Sequence, residues 1–242
     1  MAITLYQYPG GFGIGSVSPP CLRVDMALRW LGVEFERRDL RGGADKVSQT
    51  GRLPVLEIDG ERFVDSTRIL DELERRFDVP WKVDSDAEAT HLRLWEYTVN
   101  ECFYWLGFAM RWVDDDGRKR FLDVLLAKAG PLTRFLVSRV GARQRIKRAQ
   151  RHGVGFRDHA DILAEIERGL DLLTTDLGEG PFLLGRDRPS RADLTVTSLF
   201  VQPGFGNAMP EVLQMIERRP TIRPYLKRVC ERVGGDQPHW LA

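Results

Sequence analysis

Apolar positions first alternate and then recur at helical spacing along this chain. Residues 3 to 8, ITLYQY, form a short β-prone run that stops at Pro9 and the glycine-rich stretch Gly10 to Gly15, which predicts a strand running into a loop. From Pro20 onward Cys21, Val24, Ala27, Leu28 and Leu31 share one helical face, and Gly32 stands where a left-handed C-terminal cap belongs. VEFERR reads as a second strand. PVLEI and ERFV flank Asp59-Gly60, a two-residue turn signal, so these runs are expected to pair as an antiparallel hairpin. Ser66 then opens a helix whose Ile69, Leu70, Leu73 and Phe77 fall on one face, with Pro80 just beyond its end. The first 80 residues therefore predict an α+β layer around one mixed sheet.

A polar linker near Lys82 to Glu88 separates this layer from a region of helical periodicity with no convincing alternation. Its first helix is aromatic-rich, with Trp105, Phe108 and Trp112 at i, i+3 and i+7. Later helices are expected from His159 to Asp176, Ser190 to Val201 and Thr221 to Val233. Ser190-Arg191-Ala192-Asp193 has the Ser-x-x-acid form of a capping box, with Asp in place of the usual Glu. The division expected is 1–80 and an all-helical 88–242.

Composition narrows the class. Among 242 residues, 36 Lys and Arg balance 35 Asp and Glu, so the chain as a whole has no field to steer nucleic acid, and no nucleic-acid partner is expected. The three cysteines, Cys21, Cys102 and Cys230, are odd in number and far apart, which fits a reducing compartment such as the cytoplasm rather than a disulfide scaffold. No segment reaches the roughly 18 apolar residues that a membrane helix needs, and the N-terminus lacks a secretory pattern, so no membrane partner is expected. His91, His152, His159 and His239 have no metal-ligand spacing, and no metal site is expected.

Three motifs in the first 80 residues and one in the helical region carry a resemblance. Ser18-Pro19-Pro20-Cys21-Leu22-Arg23-Val24 stands where thioredoxin-like proteins carry a Cys-x-x-Cys pair, with serine in the first position. Gly51-Arg52-Leu53-Pro54-Val55-Leu56 resembles the stretch that holds the fold's cis proline, and Asp65-Ser66 matches an acidic-Ser pair that opens the following helix. Gly180 to Gly185, with Pro189 to Asp193, resembles a helical-domain signature. In this order the motifs are similar to those of the glutathione transferase superfamily, across nearly the whole chain.

The resemblance implies a thioredoxin-like βαβαββα domain over 1–80, then a helical bundle over 88–242 with a co-substrate pocket. It implies a glutathione transferase of detoxifying type that pairs as a homodimer and joins glutathione to a small hydrophobic electrophile, or reduces or isomerises it. Leu53, beside cis-Pro54, would pair its backbone with the cysteinyl part of glutathione. Asp65 and Ser66, with the backbone N–H groups after them, would hold the γ-glutamyl end, and Arg52 the glycyl carboxylate. Ser18 is the catalytic candidate, its hydroxyl donating to the sulfur and favouring thiolate. Phe12, Trp105, Phe108 and Trp112 would line the co-substrate pocket.

Other readings compete at these positions. Ser18 has the chemistry of an ordinary N-cap. Cys21 is read as core, against a thiol-disulfide role in which it would be the nucleophile. Tyr6 and Tyr8 offer a tyrosine-type alternative to Ser18, or plain sheet packing. Gly10 to Gly15 lacks the G-x-G-x-x-G register of a dinucleotide loop and is read as a flexible loop over the site. Arg134 to His152 holds seven Lys and Arg and no acid, which is read as a solvated helix face. Arg148 to Gly155 and the Ser-Pro-x-Cys region also resemble the metaxin and failed-axon-connection branch, whose members have interaction and transport roles.

Overall fold

A computed structural model describes residues 1–11, 13–83, 85–127, 129–202 and 209–241, and only the backbone of Val124. Strand β1 (Ile3–Gln7) is followed by helix α1 (Pro19–Leu31), β2 (Glu36–Asp39), β3 (Val55–Ile58), β4 (Glu61–Val64) and α2 (Ser66–Arg76). The sheet order is β2-β1-β3-β4, with β1 parallel to β2 and antiparallel to β3, the thioredoxin-like mixed arrangement. Gly32 ends α1 at φ 71°, the left-handed cap that its position predicts. The second helix of the expected βαβαββα order is a single 3₁₀ turn, Ala44–Lys46. Gly43 just before it stands at φ 73°, a left-handed turn that glycine adopts without strain.

Helices fill the remainder: α3 (Asp86–Tyr97), α4 (Tyr104–Trp112), α5 (Asp115–Leu125), α6 (Pro131–Leu136), α7 (Ala142–His152), α8 (His159–Leu177), α9 (Arg191–Phe200), α10 (Pro210–Glu217) and α11 (Ile222–Arg232). Stretches Thr98–Phe103 and Val137–Gly141 are π-helical, which the sequence pattern does not predict. Packing groups the chain into two units, one of residues 1–96, 177–202 and 224–242, the other of 97–176 and 203–223.

In the first unit Leu5, Val24, Leu28, Leu56, Ile69, Leu70 and Leu73 are wholly enclosed, and α1 packs against both α2 and α9. Strand β2 reads ERRD and is exposed throughout, a charged edge that discourages pairing with another sheet. The capping box forms as its residues predict. Asp193, fully buried, accepts from Ser190 N–H at 2.6 Å, Leu183 N–H at 3.0 Å and the Tyr225 hydroxyl at 3.0 Å.

The second unit is built on its aromatic stripe. Trp105 and Phe108 meet edge to face at 5.5 Å, and Trp112 meets Phe121 at 5.3 Å. Two arginines from the basic stretch lie over these rings, Arg145 at 4.5 Å from Trp112 and Arg148 at 5.0 Å from Trp105, while His152 stacks on Trp105 at 3.9 Å. The stretch is therefore a partial cover for the stripe as well as a solvated face, because guanidinium planes favour aromatic faces. Gly169 of α8 sits where a β-carbon would lie 2.0 Å from the Phe103 ring, so only glycine admits that ring.

Asp193→Ala orphans several buried donors at once and is expected to lower unfolding free energy by about 3 kcal/mol in urea titration, beyond the cost of losing a cap alone.

Candidate functional site

The site is assembled from three chain segments of the first unit. Ser18 occupies the N-cap position of α1 in extended backbone, φ −109° and ψ 119°, yet its side chain makes no capping hydrogen bond. Pro19 and Pro20 explain this: they remove the N–H groups that an N-cap oxygen would meet first in the opening turn. The hydroxyl faces the Cys21 thiol instead, from a half-buried position.

The second segment is the loop into β3, where the Leu53-Pro54 peptide is cis. Leu53 is buried in one cluster with Cys21, Tyr6 and Val55, which sets this loop beside the start of α1. Arg52, just before it, is exposed. The third segment is placed by register. Val55 opposes Val64, so the chain leaving β4 places Asp65 and Ser66 alongside Pro54.

Asp65 stands at φ 82°, a region L-residues avoid, and its Oδ1 accepts from the N–H groups of Thr67 at 2.9 Å and Arg68 at 3.3 Å. The backbone N–H groups expected to be free for a ligand are thus held by the helix's own cap. Ser66 is buried and its hydroxyl accepts from Arg23 Nη2. Arg23 comes from α1 and is 1% exposed; it also donates to Thr67 Oγ1 at 3.1 Å and to Thr195 Oγ1 of α9 at 3.0 Å. Burial pulls its pKa down to about 10, partly offset by Glu96 and reinforced by Arg191, so the guanidinium stays charged at neutral pH.

Arg191, at the first turn of α9, anchors a second part of the same cluster. It reaches Glu96 at 2.8 Å, Asp71 at 2.7 Å and Glu74 at 2.9 Å. Its burial disfavours the charge, but Glu96, Glu74 and Asp71 outweigh that and raise its pKa. Neither Arg23 nor Thr195 is singled out as a site residue by the sequence, since nothing in the local pattern marks an arginine between apolar neighbours as wholly buried.

Cys21 is completely buried, and desolvation pushes its thiol up to about 11 although Ser18, the Tyr8 backbone and Ser16 each favour the thiolate. It is a core residue with the reactivity of a protonated thiol. Tyr6 is also buried, its phenol 3.4 Å from Glu57 with Arg38 and Arg62 beside its ring, which is sheet packing.

The loop Gly10 to Ser18 is tied back on itself rather than loose. Gly11 and Ile14 exchange backbone hydrogen bonds at 3.1 Å, Val17 N–H reaches Pro9 O at 3.1 Å, and Ser16 Oγ donates to Tyr8 O at 2.7 Å. Gly15 approaches buried Asp25 so closely that a β-carbon would lie 2.6 Å from its carboxylate. A polar cleft, lined among others by Gln7, Arg37, Asp39 and Asp236, opens beside this loop; none of the expected glutathione ligands lines it. Phe12 lies outside the described residues. Trp105, Phe108 and Trp112 form the stripe of the second unit, and Phe108 and Trp112 are buried in it. Among the described residues no cluster of His, Cys, Asp and Glu could hold a metal ion, and no helix is long and apolar enough to cross a membrane.

A mixed thioredoxin-like sheet, a cis proline beside the first helix and an Asp-Ser helix start thus come together in the first unit. Residues 19–117 match the family model described as the glutathione S-transferase N-terminal domain. The chain is 29% identical to the isoprene-epoxide--glutathione S-transferase of Rhodococcus sp. (strain AD45), over 94% of this chain and 97% of that protein. It is 27% identical to Failed axon connections of Drosophila melanogaster, over 97% of this chain but 58% of that longer protein. Among solved structures, human glutathione transferase theta-2, in complex with glutathione and an unknown ligand, aligns with a TM-score of 0.62 at 20% identity, covering 96% of this chain and 83% of its own. By these matches the chain resembles members of the glutathione S-transferase superfamily.

The burial of the thiols has a direct readout. Cys102 is exposed, whereas Cys21 and Cys230 are buried, with Cys230 raised to about 12. Native protein at pH 8 is expected to react with one equivalent of a thiol-specific disulfide reagent, at Cys102, and denatured protein with three.

Proposed function

We propose that this protein is a glutathione transferase that binds glutathione along Leu53, cis-Pro54, Asp65 and Ser66, activates its thiol at Ser18, and joins it to a small hydrophobic electrophile. The observation that carries the reading is Ser18, a hydroxyl at a helix N-terminus that is not engaged in capping that helix. Lowering a thiol from about 8.5 by two units needs roughly 2.7 kcal/mol, and a helix N-terminus usually supplies only about 0.3 to 1 kcal/mol. With prolines at the first two helical positions, α1 presents fewer N–H donors than usual, so the hydroxyl carries most of the work. A hydrogen bond to a charged sulfur contributes about 1.5 to 3 kcal/mol, enough to make up the difference.

In this reading the Leu53 backbone pairs with the cysteinyl part of the ligand, Ser66 takes its α-carboxylate, Asp65 its α-ammonium and Arg52 its glycyl carboxylate. Residues 1–80 act as the glutathione-binding domain, and 88–242 supplies the apolar co-substrate surface through Trp105, Phe108 and Trp112. An epoxide is the first electrophile to test, supported by the name of the Rhodococcus relative. The thiolate attacks a ring carbon, the carbon–oxygen bond breaks, and the resulting alkoxide takes a proton to give a hydroxy thioether. Family precedent supports a homodimer. The thiol-disulfide alternative is disfavoured by the buried, protonated Cys21.

The test is a glutathione–epoxide conjugation assay. Ser18→Ala is expected to cut kcat/KM by about 10- to 100-fold, the loss of one charge-assisted hydrogen bond, and to move the pH midpoint of the reaction upward by about one to two units. A Ser18→Ala protein with an unchanged rate and pH profile contradicts the proposed role.

A further inference from the structure

Arg23 is a cation that the fold buries without giving it a carboxylate. Its hydrogen-bond partners are three hydroxyls, of Ser66, Thr67 and Thr195, and among the described residues no Asp or Glu lies within salt-bridge distance of it. Its Nε, also buried, has no hydrogen-bond partner among them. Glu96 and Asp65, the acids that act on it from beyond contact, are already engaged, Glu96 by Arg191 and Asp65 by the backbone N–H groups of Thr67 and Arg68, and Arg191 and Arg93 repel it. Buried charges are normally paired in direct contact, because desolvation disfavours an unpaired one. This one sits directly behind Ser66, at the opening of α2.

A serine hydroxyl has one proton to give and two lone pairs to receive with. Ser66 Oγ accepts from the guanidinium with a lone pair, so its single proton is left to donate elsewhere. An anion placed at Ser66 meets a polarised donor with a buried positive charge behind it. A neutral group there gains only an ordinary hydrogen bond.

We propose that Arg23 is a positioning residue for glutathione: it fixes Ser66 as a hydrogen-bond donor and supplies the buried charge by which the site selects the ligand's α-carboxylate. This rests on the proposed binding of glutathione at Ser66. A guanidinium that only tied α1 to α2 and α9 would contribute to stability and leave ligand preference alone.

Calorimetric affinities for glutathione and for 4-aminobutyryl-cysteinylglycine, which lacks only the α-carboxylate, separate these roles. Wild type is expected to prefer glutathione by about 30-fold, within the range of a charge-assisted bond. In Arg23→Gln, which can still donate to Ser66 but is neutral, the preference falls below about threefold while affinity for the analogue is unchanged. Should the glutamine variant fail to fold, Arg23→Lys decides. A buried ammonium loses its proton as pH rises, so its preference holds at about pH 6 and is lost by about pH 8.5, where wild type keeps it. A folded variant with wild-type preference at both pH values, or an equal loss for both ligands, overturns the proposal while leaving the glutathione reading intact. A wild type that binds glutathione no better than the analogue does the same, and one that binds neither overturns both.

Discussion

A guanidinium taken out of water must recover several kcal/mol from its new surroundings, and two of them are buried side by side in the unit that carries the sheet. Arg191 recovers it from carboxylates on α2 and α3, reaching Asp71, Glu74 and Glu96 from the first turn of α9. Arg23 recovers it from hydroxyls on α2 and α9 and from the fields of Glu96 and Asp65. These demands fix the geometry. The opening turns of α2 and α9 can sit only where their side chains satisfy the two cations, and α1 must bring Arg23 between them.

Once those starts are fixed, the site takes its shape. Ser66 is the residue that Arg23 holds, Asp65 caps the same helix from a strained backbone, and the β3–β4 register carries the cis-Pro54 loop alongside. Leu53 then packs with Cys21, one turn into the helix that Ser18 begins. A polar contact in the core thus translates into the spacing of three surface segments that have no direct covalent relation. The capping box of Asp193 serves the same end from the other side, since it fixes the first turn of α9, from which Thr195 and Arg191 project.

Much of this architecture is legible in the chain. The strand-turn-strand signal at Asp59-Gly60, Gly32 as a helix stop and Ser190 to Asp193 as a helix start are local rules satisfied by a few residues each, and all three form. What escapes is tertiary. Nothing in LRVDM says that Arg23 is enclosed, because burial depends on which helices arrive on every side. The π-helical stretches at Thr98–Phe103 and Val137–Gly141 likewise answer to packing, and the expected second helix is a single 3₁₀ turn. The basic stretch misleads for a related reason: charge counts do not reveal that Arg145 and Arg148 have aromatic rings beneath them.

The proposed function joins a serine that does not cap its own helix with a buried serine hydroxyl backed by a guanidinium. In that proposal a thiol peptide is held at both ends, with its sulfur at the serine. A crystal structure of the protein grown with glutathione tests this most directly. The account predicts the sulfur within hydrogen-bond distance of Ser18 Oγ, the cysteinyl backbone paired with Leu53 and the α-carboxylate on Ser66. Glutathione lodged instead in the cleft of Gln7, Arg37 and Asp39, with Ser18 and Ser66 unengaged, would contradict it.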